Sequence, residues 1–190
     1  ALAVNGEIYN HKQLKGELTQ AYAFQTESDC EVINALYLED APASFLNRLN
    51  GIFAFALWDA GKGRAIIARD PLGVCPLYWG HDKEGRLRVA SEMKSLVDEC
   101  ADVAQFPPGH WYDTSTGTLT KYYERPWRDY DAVQGVEVTP QELREAFEAA
   151  VHRQLMTDVP YGVLLSGGLD SSLVAAVAAR YARHRIEDGD

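Results

Sequence analysis

Apolar residues over the first 125 positions come in short bursts broken by glycine, proline and charged turns, a pattern that predicts strands and brief helices rather than long amphipathic stripes. Gly51-Ile52-Phe53-Ala54-Phe55-Ala56-Leu57-Trp58-Asp59 has few polar interruptions, so a strand there has both faces covered. Gly61-Lys62-Gly63 makes a turn, and Arg64-Ala65-Ile66-Ile67-Ala68-Arg69-Asp70 runs back as its partner. Further strands are predicted at 77–80, 87–90, 110–113 and 119–123. Ser28 and Glu31 have capping-box spacing ahead of a helix through Val32, Leu36 and Leu38. Strands joined by tight turns imply antiparallel sheets with helices over their outer faces.

The pattern changes after Tyr123. Glu124-Arg125-Pro126-Trp127-Arg128-Asp129-Tyr130-Asp131 shows neither a period of 2 nor one of 3.6, and reads as a linker whose aromatic residues pack on one of two flanking domains. Thr139-Pro140-Gln141-Glu142 then opens a helix with a threonine cap, proline at its first position and glutamate at its third. Leu143, Phe147, Val151 and Leu155, with Ala150, mark its buried face. The apolar run Tyr161-Gly162-Val163-Leu164-Leu165 predicts a buried strand, followed by a glycine turn and a helix. The expected organisation is a first domain over 1–124, a linker over 125–138 and the start of a second domain over 139–190.

Ser166-Gly167-Gly168-Leu169-Asp170-Ser171-Ser172 is the chemically distinctive string. A turn entering a helix aims backbone N–H groups and the positive end of the helix dipole at one point, where an anion can sit. Ser166, Ser171 and Ser172 add hydroxyls, and Asp170 suits a direct or water-mediated magnesium contact. A Walker loop would carry a lysine, and none occurs between Val159 and Asp190. The string instead resembles the pyrophosphate loop of the N-type ATP pyrophosphatases, which implies cleavage of ATP to AMP.

Composition narrows the setting. With 46% apolar and 24% charged residues the chain is globular, and a formal charge of −10 argues against a basic nucleic-acid groove. No run of about 18 apolar residues and no leader-like start is present, so neither a membrane span nor a signal peptide is expected. Cys30, Cys75 and Cys100 are odd in number and widely spaced, which fits reduced cytoplasmic thiols. The five scattered histidines, His11, His81, His110, His152 and His184, read as surface or packing residues rather than ligands.

Three strings in the first domain complete the picture: Asn5-Gly6-Glu7-Ile8-Tyr9-Asn10 after a short apolar strand, Arg69-Asp70-Pro71-Leu72-Gly73-Val74-Cys75-Pro76-Leu77-Tyr78 between two strands, and Ala90-Ser91-Glu92-Met93-Lys94-Ser95-Leu96 leaving a strand for a helix. Together with 161–172 they resemble glutamine-dependent asparagine synthetase of the bacterial B type, from Leu2 to the final helix. Either half alone occurs in other families, whereas the two in this order narrow the field to asparagine synthetases and close relatives such as β-lactam synthetase.

The resemblance implies a two-domain chain, α+β then α/β: part of an N-terminal-nucleophile hydrolase sandwich of antiparallel sheets covered by helices, then the beginning of a parallel-sheet ATP pyrophosphatase domain. It implies that Asn5 and the N–H of Gly6 form an oxyanion hole, that Glu7 and Asp29 hold the amine of glutamine, and that Leu165, Ser166, Gly167, Gly168, Asp170, Ser171 and Ser172 bind ATP and its pyrophosphate, with Mg²⁺ at Asp170. Glutamine and aspartate are the implied substrates, and family members are often dimers. Read without the family, Asn5-Gly6 also fits a hairpin turn, Asp29 also fits a first-turn carboxylate, and Arg69 with Asp70 fits a buried scaffold pair. Ser91, Glu92 and Lys94 fit a capped helix start.

The chain departs from the family at both ends. Ala1 stands after the point where the family carries its nucleophilic cysteine, and the sequence stops about one helix beyond the phosphate loop. A central fragment lacking both ends, inactive alone, is therefore expected. Two rival readings are a β-lactam-synthetase-like enzyme without glutaminase activity and a non-catalytic relative that binds glutamine or ATP.

Overall fold

The computed structural model describes residues 1–157 and 159–188, without the side chains of residues 126 and 183–188, so His184 falls outside its account. The chain divides into two compact units, Ala1–Arg125 and Pro126–Asp190.

In the first unit the elements run β1 (Leu2–Ile8), α1 (His11–Glu17), a 3₁₀ turn (Asp29–Glu31), α2 (Val32–Glu39), α3 (Pro42–Phe45), β2 (Gly51–Asp59), β3 (Arg64–Arg69), β4 (Tyr78–His81), β5 (Leu87–Ala90), β6 (Ala104–Gln105), β7 (His110–Asp113) and β8 (Thr118–Lys121). They form a five-stranded sheet in the order β1-β2-β3-β7-β8 and a three-stranded sheet in the order β5-β4-β6, with every pair antiparallel.

Period-2 patterning explains the layers. Phe53, Phe55 and Leu57 of β2, with Ile66 and Ala68 of β3, face a core that Leu14, Val32, Ile33, Leu36 and Phe45 of the helices complete. The intervening Ala54 and Ile67 face the other way, into a second cluster with Leu77 and Phe106, against which Trp79 and Val89 pack. Helices therefore cover one face of the large sheet and the small sheet covers the other. This double coverage is why β2 reads as a nearly unbroken apolar run.

One alternative reading and one expectation for this unit do not hold. The strand through Asn5-Gly6 does not turn but continues to Ile8 in unbroken register with β2, Gly6 standing opposite Phe53. The segment after β5 is a short 3₁₀ turn, Met93–Ser95, whose N-cap Glu92 makes no side-chain cap bond, so the predicted capped helix does not form.

The second unit holds α4 (Tyr130–Val133), α5 (Pro140–Arg153) and α6 (Leu169–Asp188). The predicted linker thus contains a 3₁₀ turn, Pro126–Arg128, and α4, because Asp129 caps the latter through the N–H of Asp131. Trp127 and Tyr130 are 56% and 71% exposed. The capping box at α5 forms as predicted: Thr139 accepts from Glu142 N, and Glu142 accepts from Thr139 N. The intended buried face of α5 is only half covered, and Leu143 is 66% exposed. His152 stacks on Tyr181 of α6 at 4.0 Å, and Arg180 meets Glu148 at 3.0 Å.

The predicted strand at 161–165 is not formed. These residues carry no regular secondary structure, and Leu164 is 95% exposed. A strand is stable only beside another strand, and none pairs with this segment among the described residues.

Candidate functional site

The edge of β1 carries the first candidate group. Trp58 N donates to Ala1 O and Tyr9 N to Asn50 O, so the odd-numbered residues of β1 ladder with β2. Gly6 and Ile8 consequently turn their backbone groups to the strand's other edge. There the Asp29 carboxylate accepts from Ile8 N, and the Cys30 thiol donates to Gly6 O at 3.4 Å. The same alternation leaves the Gly6 N–H directed away from β2.

Gly6 is required where it stands. Its φ is +139°, and a Cβ built there would lie 2.0 Å from Ile52 O. Asn5, one residue earlier, lies on the side facing the small sheet, and its Nδ2 donates to Ser91 Oγ at 3.2 Å. Asn5 and Ser91 line an open pocket of about 200 Å³ together with Ala3, Ala54, Leu77 and Val89. Ser91 thus contacts the candidate oxyanion donor, a role that a reading of its segment as a helix start missed.

The electrostatics here are acidic. Burial, then Asp29 by charge and hydrogen bond, then Glu7 push the Cys30 thiol up to about 12. Burial, then Glu7, with smaller contributions from Asp70 and Asp29, also push up the Tyr9 phenol. Glu7 and Asp29 therefore act on the same neighbours, and their combined field favours a ligand cation such as an ammonium. Cys30 stays a neutral S–H donor.

Asp29 owes its place to the turn that carries it. Ser28 accepts from Cys30 N, capping the 3₁₀ turn. The predicted Ser28–Glu31 box is only half made, because Glu31 turns away to Thr26 and Gln25 and is 7% exposed. Donors of the preceding loop outcompete the local cap. No motif flagged this glutamate for any other role; its position ahead of the buried Val32, Ile33 and Leu36 was the available signal.

Arg69 and Asp70 are 2% and 1% exposed, yet they do not pair with one another as predicted. Arg69 donates to the carbonyls of Cys75, Phe106 and Gly73 at 2.7, 2.7 and 2.8 Å. The Asp70 carboxylate accepts from the N–H groups of Leu72, Gly73, Val74 and Cys75 at 2.6–3.1 Å. Each charge is neutralised by backbone dipoles of the loop it closes.

The second candidate group lies in the other unit. Gly167 adopts φ +84° and α6 begins at Leu169. Ser171 Oγ and Ser172 Oγ donate to Gly168 O at 3.1 and 2.8 Å, and Ser166 Oγ lies 3.0 Å from Ser171 Oγ. Ser166, Gly167, Gly168, Asp170 and Ser172 are exposed, as is Leu165, and Asp170 is the one acid among 165–172. The first-turn N–H groups of α6 have no intrahelical acceptors, so this donor set suits phosphate oxygens. No cluster of three metal-binding side chains occurs among the described residues, so a magnesium ion at Asp170 would draw its other ligands from phosphate and water.

A family model described as glutamine amidotransferase domain matches residues 1–106. The chain belongs to this glutamine amidotransferase family. A second model, asparagine synthase, matches residues 142–187. Asparagine synthetase B [glutamine-hydrolyzing] of Escherichia coli (strain K12) is 54% identical over 187 residues, covering 98% of this chain and 34% of the relative. The asparagine synthetase [glutamine-hydrolyzing] of Zea mays is 51% identical over 180 residues, covering 95% and 30%. A probable asparagine synthetase of Dictyostelium discoideum is 47% identical over 195 residues, covering 99% and 35%. The chain spans about a third of the length of these curated relatives.

Among solved structures, glutamine phosphoribosylpyrophosphate amidotransferase from B. subtilis, complexed with ADP and GMP, shares the fold with a TM-score of 0.55 at 23% identity. It covers 94% of this chain and 44% of its own. The antiparallel sheets with their covering helices are thus those of an N-terminal-nucleophile amidotransferase in part.

Proposed function

We propose that the chain is the central part of a glutamine-hydrolysing asparagine synthetase, with a glutaminase domain over 1–124, a linker over 125–138 and the opening of an ATP-cleaving domain over 139–190. The order of the two family matches on one chain, with 47–54% identity running through both, carries this reading. In the first domain Glu7 and Asp29 receive the ammonium of glutamine, in keeping with the acidic field at the β1 edge. As the amide carbon becomes tetrahedral, Nδ2 of Asn5 and the Gly6 N–H stabilise its oxygen, and Asn5 exchanges its bond with Ser91 for one to that oxygen. The resemblance places the attacking cysteine outside these 190 residues, and burial of Cys30 and Cys75, with Cys30 held as a thiol, is in keeping with that.

In the second domain ATP adenylates the side-chain carboxylate of aspartate, giving β-aspartyl-AMP and pyrophosphate, and ammonia displaces AMP. Ser166, Gly167, Gly168, Ser171 and Ser172 hold the departing pyrophosphate and Leu165 flanks the adenosine. Asp170 would hold a magnesium ion, which would supply charge neutralisation for the phosphates. Free Cys30, Cys75 and Cys100 support a cytoplasmic setting, and a homodimer follows from the resemblance alone. Among the described residues no helix is long and apolar enough to cross a membrane.

The test uses the full-length polypeptide. Asn5→Ala should cut glutamine-dependent asparagine formation by about 10²–10³-fold and leave ammonia-dependent formation intact. Asp170→Asn should depress AMP and pyrophosphate release from either nitrogen source. Undiminished pyrophosphate release by Asp170→Asn, or equal loss from both nitrogen sources in Asn5→Ala, refutes the assignment.

A further inference from the structure

Residues 18–28 have no regular secondary structure beyond bends, yet carboxylates at two ends of one helical stretch gather them. At one end, Glu39 Oε1 accepts from Thr19 N and Gln20 N, both at 2.6 Å, and from Thr19 Oγ1 at 3.1 Å. At the other, Glu31 accepts from Gln25 N and Thr26 N, both at 2.7 Å, from Thr26 Oγ1 at 2.6 Å and from Tyr22 OH at 3.4 Å. A carboxylate as buried as that of Glu31 is costly unless both oxygens are satisfied, and here they are. The Thr26 hydroxyl, then the Gln25 amide, hold its carboxyl below the ordinary range.

The bonds continue from Glu31 to the candidate site. Thr26 Oγ1 accepts from Ser28 N at 3.2 Å, and Ser28 Oγ accepts from Cys30 N at 3.3 Å. The turn so fixed carries Asp29 onto Ile8 N and Cys30 onto Gly6 O. The Glu31 carboxylate bonds to the loop and not to β1 itself. Its effect on the strand edge passes through the loop.

We propose that Glu31 is a positioning residue for glutamine: it locks residues 25–28 so that the Asp29 carboxylate stays at the β1 edge where the substrate's ammonium docks. The proposal rests on reading Asp29 as a ligand of that ammonium. In glutamine-dependent turnover Glu31 touches no reacting atom, so its loss should appear in glutamine KM before kcat.

The experiment compares Glu31→Gln, Thr26→Val, Asp29→Asn and Glu39→Gln in the full-length enzyme, measuring glutamine KM, kcat and ammonia-dependent synthesis. Glu31→Gln places an amide donor against the donors of Gln25 or Thr26, and should raise glutamine KM about tenfold or more with ammonia-dependent synthesis unchanged. Thr26→Val keeps the carboxylate and its backbone donors, so it should raise KM less, about threefold. Glu31→Asp should recover part of the loss. Glu39→Gln, acting on the far end of the same loop, should leave KM within about twofold. If Asp29→Asn raises KM while Glu31→Gln and Thr26→Val do not, the positioning role is overturned and the Asp29 reading stands. If Asp29→Asn leaves KM unchanged, the reading of Asp29 fails and the proposal with it. Equal loss of glutamine- and ammonia-dependent activity in both Glu31→Gln and Thr26→Val would show a purely structural part and overturn it as well.

Discussion

Replacing Gly6 by alanine should open the β1 edge, and the size of the effect can be worked from its surroundings. The added Cβ would lie 2.0 Å from Ile52 O and 2.7 Å from the Phe53 Cα, both backbone atoms of the partner strand that cannot rotate aside. A positive φ in a residue with a Cβ costs about 1–3 kcal/mol, and overpacking costs a similar amount, so β1 must shift to relieve it. Taking about 2–4 kcal/mol, amide exchange in β1 and its partner β2 should accelerate about 30- to 700-fold. Gly16 supplies the opposite sign: it is exposed in α1 with nothing within 4 Å of an added Cβ, so Gly16→Ala should stabilise α1 by about 0.5–1 kcal/mol. Hydrogen exchange followed by mass spectrometry on the full-length polypeptide reads both segments in one measurement. Exchange of β1 amides in Gly6→Ala within about threefold of the parent would refute the argument, whatever its activity.

Three other outcomes are expected. Asp70→Asn should destabilise the first unit by about 1.5–3 kcal/mol in urea titrations, because one of the two oxygens that serve four loop amides becomes a donor; a midpoint unchanged from the parent counts against it. Burial opposes ionisation of Asp82, but hydrogen bonds from Arg86 N and the Arg86 and Arg88 side chains hold its carboxyl at about 2, below the ordinary aspartate value. Its folded pKa is depressed, so its contribution is present above about pH 4 and is lost as pH falls toward 2, and Asp82→Asn should flatten that acid limb in exchange measurements on β4 and β5. Iodoacetamide at pH 8 should label the half-buried Cys100 before the buried Cys30, whose thiol is pushed up to about 12, and early labelling of Cys30 would contradict its packing.

The two serine- or threonine-capped helices show why one pattern was legible and another misleading. Thr139 and Glu142 are exposed, with no rival donors nearby, and the box closes as spacing predicts. Ser28 and Glu31 have the same spacing, but the N–H groups of Gln25 and Thr26, in the irregular loop just before, take the Glu31 carboxylate instead, and a cap-spacing pattern does not register that loop. Strands β2, β3, β5 and β7 were readable because each pairs with a near neighbour in sequence or alternates against a core. Asn5-Gly6 also fitted a turn because glycine's freedom has two uses, and here it serves close approach inside a strand. The apolar run 161–165 has the composition of a strand without neighbours to make it one. Of the candidate residues, Gly6 and Asp29 lie at the outer edge of β1 and Asn5 on the side facing the small sheet, where packing brings Ser91 to it.

The closure of the loop after β3 limits how this segment can vary in relatives. The amides of Leu72, Gly73 and Val74 share one oxygen of the Asp70 carboxylate and that of Cys75 takes the other, while the side chains of Leu72 and Val74 are 63% and 55% exposed. Lettering at 72 and 74 is free to drift. An inserted or deleted residue would slide each donor off its oxygen at once, so length changes should accumulate elsewhere and leave this stretch with one fixed span.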